Sequence, residues 1–401
     1  MDSDTFLRGW SSAKAQSRRD AGATEATGGI LRRISGLNYL NKGVYGWLAF
    51  ECLANLDRTM EGGMNRRLKL ILAVGLLLSG VLVISLERAQ GQAKSSSPAT
   101  PADYLKWRNE LKNWGRWGAD DERGTSNLIT PAKSLSAAKL VKSGIVISLA
   151  HPVPQQVDAE VPAAAVFHRT TNGITATNTT DTYSVSYHGQ GVSHMDAFCH
   201  FFFEGKMFNG YAVADNISPE NGCKKGSIMA WKDGVVTRAV LYDIPQLKGV
   251  DSVEPGTPIT RADLEAWEKK SGVKAGAGDV ILLYIGRWKR RADKGPSPGM
   301  VAGYHPDVVP FIKERDVAFI GHDFNIDWNP RPGWGAAENI PVNPVHQAVL
   351  NWMGVSIIEN LDLEKAVETA RRMNRYEFMI SFAPLPVEGG TGSPINPLAI
   401  F

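Results

Sequence analysis

A regular alternation of short apolar runs with helical patterns fills the second half of the chain, and this alternation most constrains the fold. Apolar runs that predict strands lie at 145–150, 182–187, 237–244, 280–285, 317–320 and 355–358. Helical patterns lie at 131–144, 261–270, 306–315, 344–353 and 363–373, three of them after the N-cap residues Thr130, Thr260 and Asn343. Strands that alternate with helices indicate an α/β fold.

The composition supports a sizeable core, because 43% of the 401 residues are hydrophobic. The formal net charge of +3 comes from the front of the chain. Residues 1–93 hold 12 Lys and Arg against 8 Asp and Glu, which leaves 32 against 33 from Lys94 onward. Since no basic excess remains there, we expect no nucleic-acid partner. Cys52, Cys199 and Cys223 are too few for a disulfide framework, although a single Cys199–Cys223 bridge could form in an oxidising compartment.

Residues 64–93 have the order of a secretory signal peptide. Three basic residues between positions 66 and 69 precede an uncharged run from Leu70 to Leu86, and small residues follow at 91 and 93. The alternatives are a membrane anchor, for which the run is near the lower length limit, and a buried helix. The segment therefore predicts a secreted or periplasmic protein, or one anchored to the membrane by residues 70–86.

Four segments follow from this interpretation. Residues 1–63 are an extension that either precedes the true start at Met64 or forms a short cytoplasmic stretch ahead of an anchor. Residues 64–93 are the signal peptide or anchor, and residues 94–112 are a linker and lead-in that begins with a Ser/Pro-rich stretch. Residues 113–401 form the folded domain.

All eight histidines lie beyond residue 150, and three of them fall between His188 and His200. His194 and Asp196 are two residues apart, so on an extended backbone both side chains project from one face, as two ligands of one metal ion must. Imidazole and carboxylate together suit zinc, manganese or iron(II). His200, four residues after Asp196, could act as a general acid and base. The alternative is that these are turn histidines bonded to backbone groups.

The same segment resembles the His-x-Gly-Thr-His-x-Asp-x-x-x-His signature of the cyclase family, metal-dependent hydrolases that include bacterial kynurenine formamidase and isatin hydrolase. The resemblance extends from about Trp114 to Phe401. It includes the stretches WGADDERGTSNLITP at 117–131, HFFFEGKMFNG at 200–210 and VILLYIGRW at 280–288. It implies a swivelling β/β/α domain within the α/β class, and a homo-oligomer.

By this resemblance His194 and Asp196 are metal ligands and His200 is the catalytic histidine. The family's first ligand lies four residues before His194, where this chain has Gln190. Either Gln190 supplies a weaker oxygen ligand, or a local bulge brings His188 into place.

His346 and Glu359 match the family's later metal-side pair, although a histidine at a helix start could instead bond to backbone. The resemblance thus implies a divalent metal, zinc or manganese, and arylformamidase-like hydrolysis of an amide, formamide, lactone or cyclic amide in a small molecule, aromatic ones among them. His200 would be the general acid and base. The alternatives are a secreted small-molecule binding protein that keeps the fold without turnover, and a metal-dependent lyase or cyclase.

Overall fold

The computed structural model describes residues 99–161, 166–170 and 177–401. The extension at 1–63 and the signal or anchor segment at 64–93, with its apolar run 70–86, lie outside the described residues. Residues from Ser96 to Phe401 form one compact unit. No helix among the described residues is long and apolar enough to span a membrane.

The described strands are β1 Val146–Ser148, β2 Val166–Thr170, β3 Asp181–Val185, β4 His194–Asp196, β5 Ile217–Ser218, β6 Gly222–Cys223, β7 Val235–Asp243, β8 Pro258–Ile259, β9 Val280–Tyr284, β10 Gly303–Tyr304, β11 Phe319–His322, β12 Ser356–Glu359, β13 Glu377–Phe382, β14 Gly392–Pro394 and β15 Leu398–Ile400. Nine of them form one sheet in the order β1-β15-β13-β7-β9-β11-β12-β4-β14. Three two-stranded sheets, β8/β10, β2/β3 and β5/β6, stand apart from it.

The described α-helices are α1 Pro101–Glu110, α2 Pro131–Ala138, α3 Val213–Asn216, α4 Ile244–Lys248, α5 Arg261–Ser271, α6 Arg287–Lys294, α7 Val309–Arg315, α8 Pro344–His346 and α9 Glu364–Met373. A π-helix, Gln347–Met353, continues α8. Short 3-10 turns include Phe198–His200 and Pro306–Val308.

The middle of the large sheet is parallel, with β7, β9, β11 and β12 side by side. Every residue of β9 is buried, as expected for a parallel strand covered on both faces. Helix α5 packs against β7, where the Trp267 indole N–H donates to the Leu241 carbonyl at 2.8 Å. The predicted alternation of strands and helices is thus confirmed, and with it the α/β class.

Two predicted N-caps are present. The hydroxyl of Thr130 accepts from the Lys133 N–H at the start of α2, and Thr260 forms a capping box with Asp263 at the start of α5. Helix α2 nevertheless ends at Ala138, several residues before the predicted stop. The reason is tertiary, because the N–H groups of Ser143 and Gly144 bond to the Phe401 carbonyl and hold the chain in a turn.

The predicted lead-in at 94–112 contains a helix that is part of the domain. In α1, Tyr104 is buried, and its hydroxyl donates to the Pro344 carbonyl at 2.8 Å. Because α1 packs on the segment that carries His346, the compact unit begins well before residue 113.

Candidate metal centre

The central strand of the site is β4, which lies antiparallel between β12 and β14. In this register His194 faces Glu359 across to β12, and Asp196 faces Gly392 across to β14. The predicted extended backbone places His194 and Asp196 on the same face of the sheet.

Asp196 is the centre of the arrangement. Its side chain is only 1% exposed, and neither carboxylate oxygen has a hydrogen-bond partner among the described residues. Oδ1 lies 3.1 Å from Nδ1 of His188, without hydrogen-bond geometry, and 3.5 Å from Nε2 of His194. Oδ2 lies 3.8 Å from Nε2 of His346. Burial alone would raise the pKa of Asp196, but the surrounding imidazoles hold it below its usual value.

The backbone around His194 orients its ring. The Val192 carbonyl lies 2.8 Å from Nδ1, so this nitrogen donates its proton to the carbonyl. Nε2 faces Asp196 and lies 4.0 Å from the Glu359 carboxylate. With Nδ1 bonded to the backbone, the other ring nitrogen is the one that could bind a metal ion.

His346 is oriented by a carboxylate that sequence reasoning missed. Asp327 accepts from the His346 ring Nδ1 at 2.6 Å and from the backbone N–H groups of Val345 and His346. The opposite nitrogen, Nε2, lies 3.2 Å from Glu359. Burial would lower the pKa of His346, but Glu359 and Asp327 raise it well above its usual value. Asp327 belongs to no motif, so only the general rule that a ligating histidine has a carboxylate behind it could have suggested such a residue.

Glu359 ends β12 and is itself fixed in place. Its Oε1 accepts from the Ile326 N–H at 2.6 Å, and its Oε2 accepts from the Asn325 amide at 3.3 Å. The predicted pair His346 and Glu359 therefore meets beside Asp196, although thirteen positions separate the two residues in the chain.

Of the two predicted candidates for the first ligand, the structure brings His188 to Asp196. Its ligand atom, with those of Asp196 and His200, forms a group in which all atoms lie within 4.8 Å of one another, and this group could hold a metal ion. The other nitrogen of His188 lies 2.9 Å from the Thr391 hydroxyl. Gln190 contacts its surroundings differently, because its backbone carbonyl accepts from the Arg287 guanidinium at 2.7 Å.

His200 lies in the 3-10 turn after β4, its ring stacked on that of His188 at 3.8 Å. Burial lowers the pKa of His200 to about 4, with the neighbouring histidines adding to this effect and Asp196 opposing it. The ring is therefore uncharged at neutral pH. Its place within the metal-binding group makes it available either as a ligand or as a proton carrier.

A disulfide joins Cys199, next to His200, to Cys223 in β6. This is the single bridge that the sequence left open. The Cys199 N–H also donates to the Gly226 carbonyl at 3.0 Å, so the turn that carries His200 is tied to the β5/β6 segment twice.

A second cluster of buried charge supports the loop before β4. Arg287, at the start of α6, donates to Glu160, to the Asn360 side chain and to the Gln190 carbonyl. Asn360 in turn donates to the carbonyls of Gly189 and Val192. The loop that delivers His188 is thus shaped by residues far away in sequence.

Comparisons with known proteins agree with this architecture. The family model Cyclase matches residues 147–327. A crystal structure of a novel cyclase is 30% identical with a TM-score of 0.65, and the match covers 73% of this chain and 99% of that one.

Two isatin hydrolases are more distant. Isatin hydrolase A from Ralstonia solanacearum is 20% identical with a TM-score of 0.43, covering 67% of this chain and 97% of its own. Isatin hydrolase A from Labrenzia aggregata, bound to benzyl benzoate, is 20% identical with a TM-score of 0.46, covering 67% and 98%. No curated protein matches significantly. On the strength of the first structure, which is matched over nearly its whole length, the expected cyclase-type α/β fold is confirmed, and this chain belongs to the cyclase family.

Proposed function

We propose that this protein is a metal-dependent, arylformamidase-like hydrolase that opens an amide, formamide, lactone or cyclic amide bond in small molecules, aromatic ones among them. The observation that carries the proposal is the buried Asp196 carboxylate, which has three imidazole nitrogens within 3.8 Å and no hydrogen-bond donor in the described part of the chain. The nearby imidazoles stabilise this anion, and a bound cation would be the direct partner that it lacks among the described residues.

The donor set fits a divalent ion. Imidazole nitrogen and carboxylate oxygen are ligands of zinc and manganese. Asp196, His188 and His194 would hold the ion, with His346 and Glu359 as further ligands. When bound, such an ion would polarise a substrate carbonyl and lower the pKa of nearby water.

His200 is the residue that we expect to move the proton. It is uncharged at neutral pH because burial lowers its pKa, so it can accept a proton from the attacking water. It would then donate that proton to the departing nitrogen or oxygen. The stacked His188 ring and the disulfide at Cys199 limit the positions that the imidazole can adopt.

Phe201 supports the choice of aromatic substrates. Its ring lies 4.9 Å from that of His200 and 5.0 Å from that of His346, so an aromatic surface stands beside the buried charges. A flat substrate could stack there with its carbonyl within reach of the ion that Asp196 would hold.

The test begins with the metal content of the purified full chain, measured for wild type and Asp196→Ala. Asp233→Ala, at an exposed aspartate, is the matched control. The same samples are then assayed with N-formylkynurenine, isatin and an aryl lactone. We expect nearly stoichiometric zinc or manganese and hydrolysis of at least one compound, both lost only in Asp196→Ala.

A wild-type protein that binds no zinc or manganese after reconstitution would contradict the proposal. Metal binding and ligand-induced stabilisation without any turnover would instead support a binding protein with the hydrolase fold. Measuring His200→Ala separates the two roles of this residue, because a proton carrier can be lost with the metal retained.

We further propose that the protein acts outside the cytoplasm, as a secreted or periplasmic enzyme, and as a homo-oligomer. The Cys199–Cys223 disulfide supports the first part, since such bonds persist in oxidising compartments. Cell fractionation and light scattering of the purified protein test the two parts separately.

A further inference from the structure

A polar cavity lies away from the predicted metal ligands. It has a volume of about 280 Å³ and is enclosed by the last turn of α1 with the residues after it, by the turn 203–206, and by the end of the π-helix. We call it the basic cavity. None of the seven predicted site residues lines it.

The charges around the basic cavity are unbalanced. Arg108, Lys112 and Lys206 line it, against the single carboxylate of Glu204. Within the described part of the chain, no carboxylate forms an ion pair with any of these three cations. Lys106, on the same helix as Arg108, does have such a partner in Glu110 at 3.6 Å. Three unpaired positive charges around one concave surface create a field that attracts an anion.

Two of these cations are held on aromatic walls. The Arg108 guanidinium lies 4.7 Å from the centre of the Phe203 ring, and the Lys112 ammonium lies 4.5 Å from that of Trp114. These contacts hold the two side chains in place before any ligand binds, and so reduce the conformational entropy that they lose on binding.

The backbone beside the third cation is also fixed. Phe203 and Lys206 exchange two backbone hydrogen bonds, and the Asn351 amide donates to the Lys206 carbonyl at 2.8 Å. Glu204, inside this turn, adopts a left-handed conformation with φ of 50°, which a residue with a side chain rarely takes. The turn is therefore a defined part of the cavity wall.

We propose that the basic cavity binds a small organic dianion, of the dicarboxylate or phosphate monoester kind. Three cations against one carboxylate leave two positive charges to be neutralised, and the volume lies near the lower limit for small-molecule sites. Arginine and lysine side chains both bind carboxylate and phosphate oxygens.

The proposal is tested by isothermal titration of the purified full chain with phthalate and, separately, with inorganic phosphate, at an ionic strength held constant with sodium chloride. The wild type is compared with the double variant Lys112→Ala/Lys206→Ala and with Lys139→Ala, whose lysine is exposed at the end of α2. We expect saturable binding of at least one anion, weakened at least about tenfold in the double variant and unchanged in Lys139→Ala.

The proposal would be overturned if the wild type bound neither anion. It would also be overturned if the wild type and the double variant bound with equal affinity. Because the metal ligands do not line the cavity, metal content and hydrolysis are expected to stay unchanged in the double variant, and the two proposals can fail independently.

Discussion

Two buried aspartates near the candidate site differ in one respect that separates scaffold from site. Asp323, just after β11, is fully buried and accepts hydrogen bonds from the backbone N–H groups of Ile285, Gly286 and Arg287. These N–H groups lie at the start of α6 and have no acceptor within the helix, so the Asp323 carboxylate supplies the acceptor that they need. Asp196 is equally buried but accepts no hydrogen bond among the described residues. Burial of a carboxylate therefore does not by itself indicate a metal site. A buried carboxylate that accepts no hydrogen bond does, because a cation would be its natural partner.

The largest expected effect is the loss of metal from Asp196→Asn, which keeps the shape and removes the charge. We expect metal content to fall to background and hydrolysis to fall at least about 1,000-fold. Because no donor among the described residues bonds to the carboxylate, the free energy of unfolding of the metal-free protein should change less than it does in Asp323→Asn. Elemental analysis, an activity assay and urea denaturation measure the three quantities. If Asp196→Asn retained metal at the wild-type stoichiometry, Asp196 would not be a necessary metal ligand.

The same replacement at Asp323 should have the opposite signature. Asp323→Asn places an amide group against backbone N–H donors, so we expect the free energy of unfolding to fall by about 3 kcal/mol. Metal stoichiometry of the folded protein should stay unchanged. Urea denaturation alongside Asp251→Asn, at an exposed aspartate, tests this expectation. Equal stability of the variant and wild type would show that the donors at α6 are satisfied without the carboxylate.

Asp327 shares features with both aspartates, because it accepts hydrogen bonds from the backbone and also orients a candidate ligand, His346. We expect Asp327→Asn to weaken metal affinity by about 10- to 100-fold, the usual cost of losing the carboxylate behind a ligating histidine. Competition with a chromogenic chelator measures the affinity. If the variant lost stability but bound metal as tightly as wild type, Asp327 would be scaffold only.

The smallest expected effect is on how the free energy of unfolding depends on pH. Burial lowers the pKa of His200 to about 4, so the unfolded chain binds this proton at higher pH than the folded one. Metal-free wild type should therefore become less stable as the pH falls from 6.5 toward 4, by about 1 kcal/mol per pH unit near pH 5. His200→Gln lacks this contribution. Urea denaturation of both proteins at pH 6 and pH 5 measures the difference, and a steeper loss in the variant would contradict it.

Local sequence signals predicted the elements that depend on local chemistry. Thr130 and Thr260 mark the helix starts because a side-chain oxygen satisfies nearby N–H groups. The period of two in His194 and Asp196 predicted a shared face, which β4 confirms. The strands β2, β5, β6, β8 and β10 outside the large sheet were missed, as were β13, β14 and β15 within it. Short strands such as the last two form through pairing with distant segments, which propensity does not report.

The choice between His188 and Gln190 could not be made from sequence for a similar reason. The course of the loop depends on Arg287 and Asn360, which bond to its carbonyl groups from elements that lie far along the chain. The same applies to the helix predicted at 344–353, which is α-helical only to His346 and continues as a π-helix. Such widened turns occur often near functional sites and have no local sequence signal here.

Gly392, opposite Asp196 on β14, has a consequence for how the protein can evolve. A Cβ atom at this position would lie 2.5 Å from the Met195 carbonyl oxygen and 3.0 Å from Cε1 of His188. Any side chain at position 392 would push β14 away from β4 or displace the His188 imidazole. A mutant library selected for activity should therefore retain glycine at 392, near the end of the chain, as strictly as it retains the histidines themselves.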